Sequence, residues 1–205
     1  MVQPPFNAEA FIKIVAIPYN MTQEELKTTS RITTGLMSSN KQDWGTPKEF
    51  ITWIEENFSM KIDLDVCAHS ENNKCDAYFT IEDNAFDQDW YCVNGWMNPP
   101  YNNIVGFLEK CIEEVFVMNN AENMWVLIPA RTDTKWFHDL VVPWAEHIYF
   151  IKGRIHHKTA GNEKQGSSPF PSMLIHFTCA EELDGAWRYQ MKTLRVPKDA
   201  RGFSK

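Results

Sequence analysis

No apolar run in this 205-residue sequence approaches the roughly 18 to 20 residues that a membrane-spanning helix needs. Met1–Ala10 lacks the basic segment followed by an apolar stretch that marks a secretory signal. A soluble, cytoplasmic protein with no membrane partner is therefore expected. The five cysteines, Cys67, Cys75, Cys92, Cys111 and Cys179, are odd in number and contain no Cys-x-x-Cys pair, which argues against a disulfide framework and a structural zinc site. Cys67, His69 and Cys75 come nearest to a metal cluster, and free thiols with no bound metal are the expected state. What is present is a globular composition. Apolar residues make up 43% and aromatic residues 13%, too much for a disordered or fibrous chain, and the length suits one domain with or without an arm.

The net charge of −7 hides a segregation along the chain. Residues 47–122 carry fifteen acidic and four basic side chains, whereas residues 186–205 carry six basic and one acidic. An acidic protein can thus present one basic face to a polyanion. The alternative is an ordinary solvated, basic C-terminus.

Texture divides the chain into an N-terminal arm or linker (1–42), a main domain (43–185) and a basic C-terminal tail (186–205). Within the main domain, Thr46 as N-cap, Pro47 at the first helical position and Glu49 three residues after Thr46 open a helix over 47–58. Phe50, Ile51, Trp53, Ile54 and Phe58 recur on one face of it. Strands are expected at 62–66, 77–80, 95–97, 124–129, 147–151 and 172–177, and helices at 105–117 and 134–140. Residues 156–171 read as a long loop with Gly, Ser and Pro punctuation. Alternating strands and helices imply an α/β fold with a mostly parallel sheet flanked by helices, whose ligands sit beyond the carboxyl ends of the strands. Three polar clusters fall at such ends: 65–74, 98–103 and 130–134.

Asn98-Pro99-Pro100-Tyr101 follows one of these strands. Two consecutive prolines fix φ and remove two N–H donors, leaving the Asn98 side-chain oxygen and the Pro99 carbonyl as acceptors. An exocyclic amino group on an aromatic base is a weak nucleophile, because its lone pair is delocalised into the ring. Two acceptors holding its two hydrogens would draw the nitrogen toward tetrahedral geometry and free that pair. Tyr101 offers a face for a flat base, with stacking worth about 1–3 kcal/mol. The loop therefore suits transfer of a methyl group to an amino nitrogen, by positioning rather than by a covalent intermediate. A rigid turn with a buried tyrosine is the structural alternative. Asp65, at a strand end, can bind the ammonium of a methionine moiety or cap the strand. The sequence after it, Asp65-Val-Cys67-Ala68-His-Ser-Glu71, contains no glycine, and Ala68 stands where a glycine would allow close backbone approach. Asp83 and Asp89, flanking Phe86, are candidates for contacting adenosine, with a solvated acidic loop as the alternative, favoured for Asp89.

These segments together resemble the phage-type DNA N6-adenine methyltransferases, the Dam-like family. The resemblance runs from Asp43 to about Phe177 through Trp44-Gly-Thr46-Pro47, Leu64 to Ala68, Trp96 to Tyr101, Leu127 to Thr134 with Trp136, Gly153-Arg154 and Pro169 to Ser172. It implies a Rossmann-like class I fold dependent on S-adenosylmethionine. By the resemblance Trp44, Thr46, Pro47, Asp65, Cys67, Ala68 and Asp83 meet the cofactor, and Asn98 to Tyr101 form the catalytic loop. Where the family commonly reads Asp-Gly-Leu, this chain has Asp83-Asn-Ala-Phe86. The implied substrate is adenine in double-stranded DNA, flipped out of the helix because a stacked base cannot reach the loop. DNA contact is expected from Arg131, Thr132, Asp133, Thr134, Lys135, Trp136 and Arg154, and groove contact from the loop 156–168. Methylation of cytosine N4 or of a protein glutamine, and a catalytically silent binding relative, are the competing readings. The sequence leaves monomer and dimer both open.

Overall fold

The computed structural model describes residues 45–159, 162–167, 170–179 and 190–202. The expectations for residues 1–42 and for Trp44 lie outside the described residues. Helix α1 (Lys48–Phe58) opens the described chain and is followed by strands β1 (Leu64–Asp65) and β2 (Cys92–Met97). Helix α2 (Ile104–Ile112) continues without a break into a π-helical turn, Glu113–Val117. Strands β3 (Ala121–Pro129), β4 (His147–Ile151), β5 (His156–Thr159), β6 (Asn162–Ser167), β7 (Ser172–Thr178) and β8 (Gln190–Leu194) complete the order.

Six strands form one sheet in the order β1-β2-β3-β7-β4-β8, and β5 pairs with β6 in a separate ribbon. β1, β2 and β3 are parallel to one another, as are β4 and β8, while β7 runs against both of its neighbours. The sheet is thus mixed, with five strands in one direction and a reversed β7 embedded among them.

β3 is the spine because nearly all of its residues are buried. Trp125 and Leu127 join Trp96, Tyr149 and Leu174 in a cluster covered by Phe50, Ile51 and Ile54 of α1. Phe50 meets Trp96 edge-on at 6.3 Å, and Phe58 meets Trp125 at 4.5 Å. The alternating set Met124, Val126 and Ile128 faces the other way and is equally buried, so both faces of β3 are covered. The continuation of α2 packs against β3. Its Glu114 is fully buried, paired with Lys110, and accepts hydrogen bonds from the Trp90 amide (3.1 Å) and Asn120 Nδ2 (2.8 Å). One carboxylate thereby ties the 84–92 loop to the helix.

Several expectations change. Residues 156–171 are not one open loop: β5 and β6 pair as an antiparallel hairpin. Its polar, β-branched-poor sequence carries no strand signal, and the pairing comes from cross-strand backbone bonds. The strand anticipated over 62–66 shortens to two residues, and the 77–80 segment contributes an isolated bridge between Tyr78 and Asp65. The short helix after Thr134 is a π-helical turn, Phe137–Val141.

Candidate active site

Strand direction decides which loops meet. The carboxyl ends of β1, β2, β3 and β4 lie on one edge of the sheet, carrying Asp65, Asn98, Ala130–Arg131 and Lys152–Arg154 respectively. Because β7 is reversed, its start belongs to the same edge, and Pro171 just before it accepts a 2.8 Å bond from the Ala130 amide.

At the end of β2, Pro99 is buried and Pro100 is extended (φ −60°, ψ 132°), delivering the chain into a short 3-10 turn, Tyr101–Asn103, and then α2. The turn closes with a bond from the Asn103 amide to the Pro100 carbonyl at 3.0 Å. Asn98 Nδ2 donates to Thr46 Oγ1 at 3.1 Å, and Thr46 is only 2% exposed. This corrects the reading of Thr46 as a helix cap. Pro47 occupies the N-cap position of α1 in an extended conformation, its carbonyl accepting from Phe50 and Ile51, so the threonine hydroxyl is directed across the site instead. The bond fixes one end of the Asn98 amide and thereby aims the other, Oδ1.

Asp65 is 2% exposed and turned into its own loop. Its two oxygens accept the amides of Cys67 and Lys74, each at 3.2 Å. Burial pushes its carboxyl up to about 6, against the opposing pull of Lys74 and the two amides. These bonds cap the loop that follows the strand, and each carboxylate oxygen keeps a second lone pair. Cys67 reaches the catalytic loop: burial and the neighbouring Asp65 push its thiol up, while a hydrogen bond from the Asn98 backbone acts the other way. Ala68 is buried and its amide donates to the Phe79 carbonyl at 2.9 Å. Asp83 is exposed; its Oδ2 accepts both the amide and the hydroxyl of Thr80 at 2.8 Å, and these bonds hold its carboxyl below the usual range. Three residues on, Phe86 packs on Phe107 of α2 at 4.6 Å and remains 37% exposed.

The residues expected to meet DNA are less alike than their sequence suggested. The Arg131 guanidinium lies 4.5 Å over the ring of Phe170, a partner that sequence spacing did not single out. Thr134 caps the turn by donating its hydroxyl to the Arg131 carbonyl at 2.8 Å. Lys135 is engaged with Asp139 one helical turn on. Trp136 is half-buried against Phe137, whereas Thr132, Asp133 and Arg154 are exposed. Among the described residues no group of three His, Cys, Asp or Glu could hold a metal ion, and no helix is long and apolar enough to cross a membrane.

Fold and site together define an α/β protein whose acceptor-rich Asn-Pro-Pro-Tyr loop stands at the carboxyl edge of its sheet, where proteins of this architecture bind ligands. The chain belongs to the DNA N-6-adenine-methyltransferase (Dam) family, whose model matches residues 33–192. It is 34% identical over 142 residues to a DNA N-6-adenine-methyltransferase of Haemophilus phage HP1 (strain HP1c1), covering 68% of this chain and 80% of that protein. It is also 34% identical over 122 residues to a DNA N-6-adenine-methyltransferase of Escherichia phage T1, covering 58% of this chain and 49% of the relative. No solved structure is a significant match.

Proposed function

We propose that this chain transfers a methyl group from S-adenosylmethionine to the N6 amino group of adenine in double-stranded DNA. The observation that carries the reading is the Asn98 amide, held by Thr46 at the carboxyl edge of the sheet beside the Pro99 carbonyl. Asn98 Oδ1 and the Pro99 carbonyl accept the two amino hydrogens, and Tyr101 stacks on the base. The nitrogen lone pair is then directed at the methyl, and positioning lowers the barrier. The loop sits at the end of a sheet and not on a protruding element, so the adenine leaves its duplex to reach it, at a cost of about a few kcal/mol.

S-adenosylmethionine supplies an electrophilic sulfonium methyl when bound. The residues present fit such a group. Asp83 offers an exposed, ionised carboxylate for polar hydrogens of the nucleoside, and Phe86 offers an apolar face beside it. Thr46 and Cys67 both hydrogen-bond Asn98, and the family resemblance assigns them to the cofactor site together with Trp44, Pro47 and Ala68. Asp65 acts on the donor indirectly, by shaping the loop from Val66 to Lys74. The same reading assigns the sheet to the Rossmann-like class I methyltransferases, supported by its five co-directional strands. It puts the protein's work in the cytoplasm of a bacterial host, where phage DNA resides.

The test is direct transfer. Purified protein with tritiated S-adenosylmethionine and unmethylated duplex DNA should yield label in N6-methyladenine after digestion to nucleosides. Label confined to N4-methylcytosine or to protein sinks the proposal. Asn98→Ala should abolish transfer while cofactor binding persists.

A further inference from the structure

Residues 186–205 carry six cations and one carboxylate. Of the described part of this stretch, 190–202, Gln190–Leu194 is built into the sheet as β8. β8 lies parallel to β4 with Leu194 beside Ile151, and the Lys152 amide donates to the Leu194 carbonyl at 3.0 Å. The two strands finish together, so Lys152 and Arg195 leave the sheet side by side, on the edge that carries Asn98. Two glycines lock the chain beyond these strand ends. Gly153 has φ 98°, and a Cβ there would fall 1.8 Å from Arg201 Nη1. Gly202 has φ 84°, and a Cβ there would fall 2.6 Å from the His156 carbonyl and 2.7 Å from Pro47 Cγ. Any side chain at Gly202 would break this fit, since both the conformation and the space demand glycine. Pro47 adjoins Thr46, the anchor of Asn98. The C-terminal segment therefore runs from the end of β4 to the margin of the catalytic loop.

Lys152, Arg154, Arg195 and Lys198 are all exposed, and none pairs with a carboxylate among the described residues. Asp199 is the one acidic residue in 147–159 and 190–202. Lys135 presents the contrast, because Asp139 neutralises it locally. Four cations fixed on one edge without counter-charge create the field that attracts a polyanion.

We propose that Lys152, Arg154, Arg195 and Lys198 form the track for the DNA phosphate backbone, laying the duplex across the ends of β4 and β8 while the target base enters at Asn98. The identity of the polyanion rests on the function proposed above. The track explains how an acidic chain meets DNA: the carboxylates are concentrated in residues 47–122, and the track's cations follow β4 and β8. Each phosphate neutralised contributes about 0.9 to the slope of log K against log salt.

The test is binding of a fluorescent duplex to the full chain across a salt series. The triple variant Lys152→Ala, Arg195→Ala, Lys198→Ala should lower the slope by about 2.7, and Lys198→Ala alone by about 0.9. Lys61→Ala, at the opposite edge and paired with Glu55, should leave it unchanged. An unchanged slope in both the triple and the single variant overturns the track, as does a wild-type protein that fails to bind duplex DNA. Methyl transfer is measured separately on the wild type. A reduced slope with no transfer to adenine leaves the track standing and defeats the proposed function instead.

Discussion

Thr46→Val is the substitution that probes the site most sharply. Valine keeps the branched shape and replaces the hydroxyl by a methyl, removing the acceptor 3.1 Å from Asn98 Nδ2 in a position that is 2% exposed. Water has little access to replace it. A buried donor left facing a methyl costs about 1–3 kcal/mol. The amide escapes that cost by rotating away or by exchanging its two ends, and either motion takes Oδ1 off the target amino group. A donor then faces a donor. At about 1.4 kcal/mol per tenfold, the expected loss in kcat is about 5- to 150-fold. The assay is steady-state methyl transfer with the duplex and S-adenosylmethionine each varied, together with calorimetric binding of the product S-adenosylhomocysteine. The loss should appear in kcat with cofactor affinity retained, and Thr46→Ser, which restores the hydroxyl, should recover most of it. General destabilisation would not be rescued selectively by serine. An unchanged kcat, or a loss confined to cofactor affinity, refutes the positioning argument; the second outcome would make Thr46 a cofactor contact, the role the family resemblance gives it.

Two further predictions concern buried carboxylates. Asp65 is raised to about 6 in the folded protein, above the roughly 3.9 of an unfolded aspartate, so the folded state holds its proton more tightly. Its contribution to stability is therefore greatest below about pH 4 and is lost as the pH rises through about 6. Urea unfolding of wild type and Asp65→Asn should show the variant gaining on the wild type from pH 4 to 7; a pH-independent difference contradicts the burial argument. Glu114→Ala takes the acceptor from the buried Trp90 amide and from the half-buried Lys110 and Asn120 side chains, and should cost about 3–5 kcal/mol of stability. A loss below about 1 kcal/mol in the same unfolding assay would mean that the carboxylate is dispensable to the 84–92 loop.

The parts legible in the sequence are those governed by local periodicity and by proline. α1 follows from Phe50, Ile51 and Ile54 at helical spacing, and β3 from its apolar run, because a face that must be buried repeats with the period of its element. Asn98 to Tyr101 is equally plain: two prolines dictate an extended, donor-poor turn whatever surrounds it. Other features needed the third dimension. A threonine before Pro47 reads as a cap, and only the packing of α1 against β2 turns its hydroxyl toward Asn98, 52 residues away in sequence. Nothing in the spacing of Asp65 tells that its two oxygens meet the Cys67 and Lys74 amides, the second of them nine residues on. The hairpin β5–β6 is held by backbone bonds between residues with no strand pattern, which composition does not encode. Charge, finally, was countable along the chain, and its excess in 186–205 was evident from the letters alone. That Arg195 leaves the sheet on the same edge as Asn98 was decided by the parallel pairing of β8 with β4, since strand direction, a long-range property, fixes which loop ends share an edge.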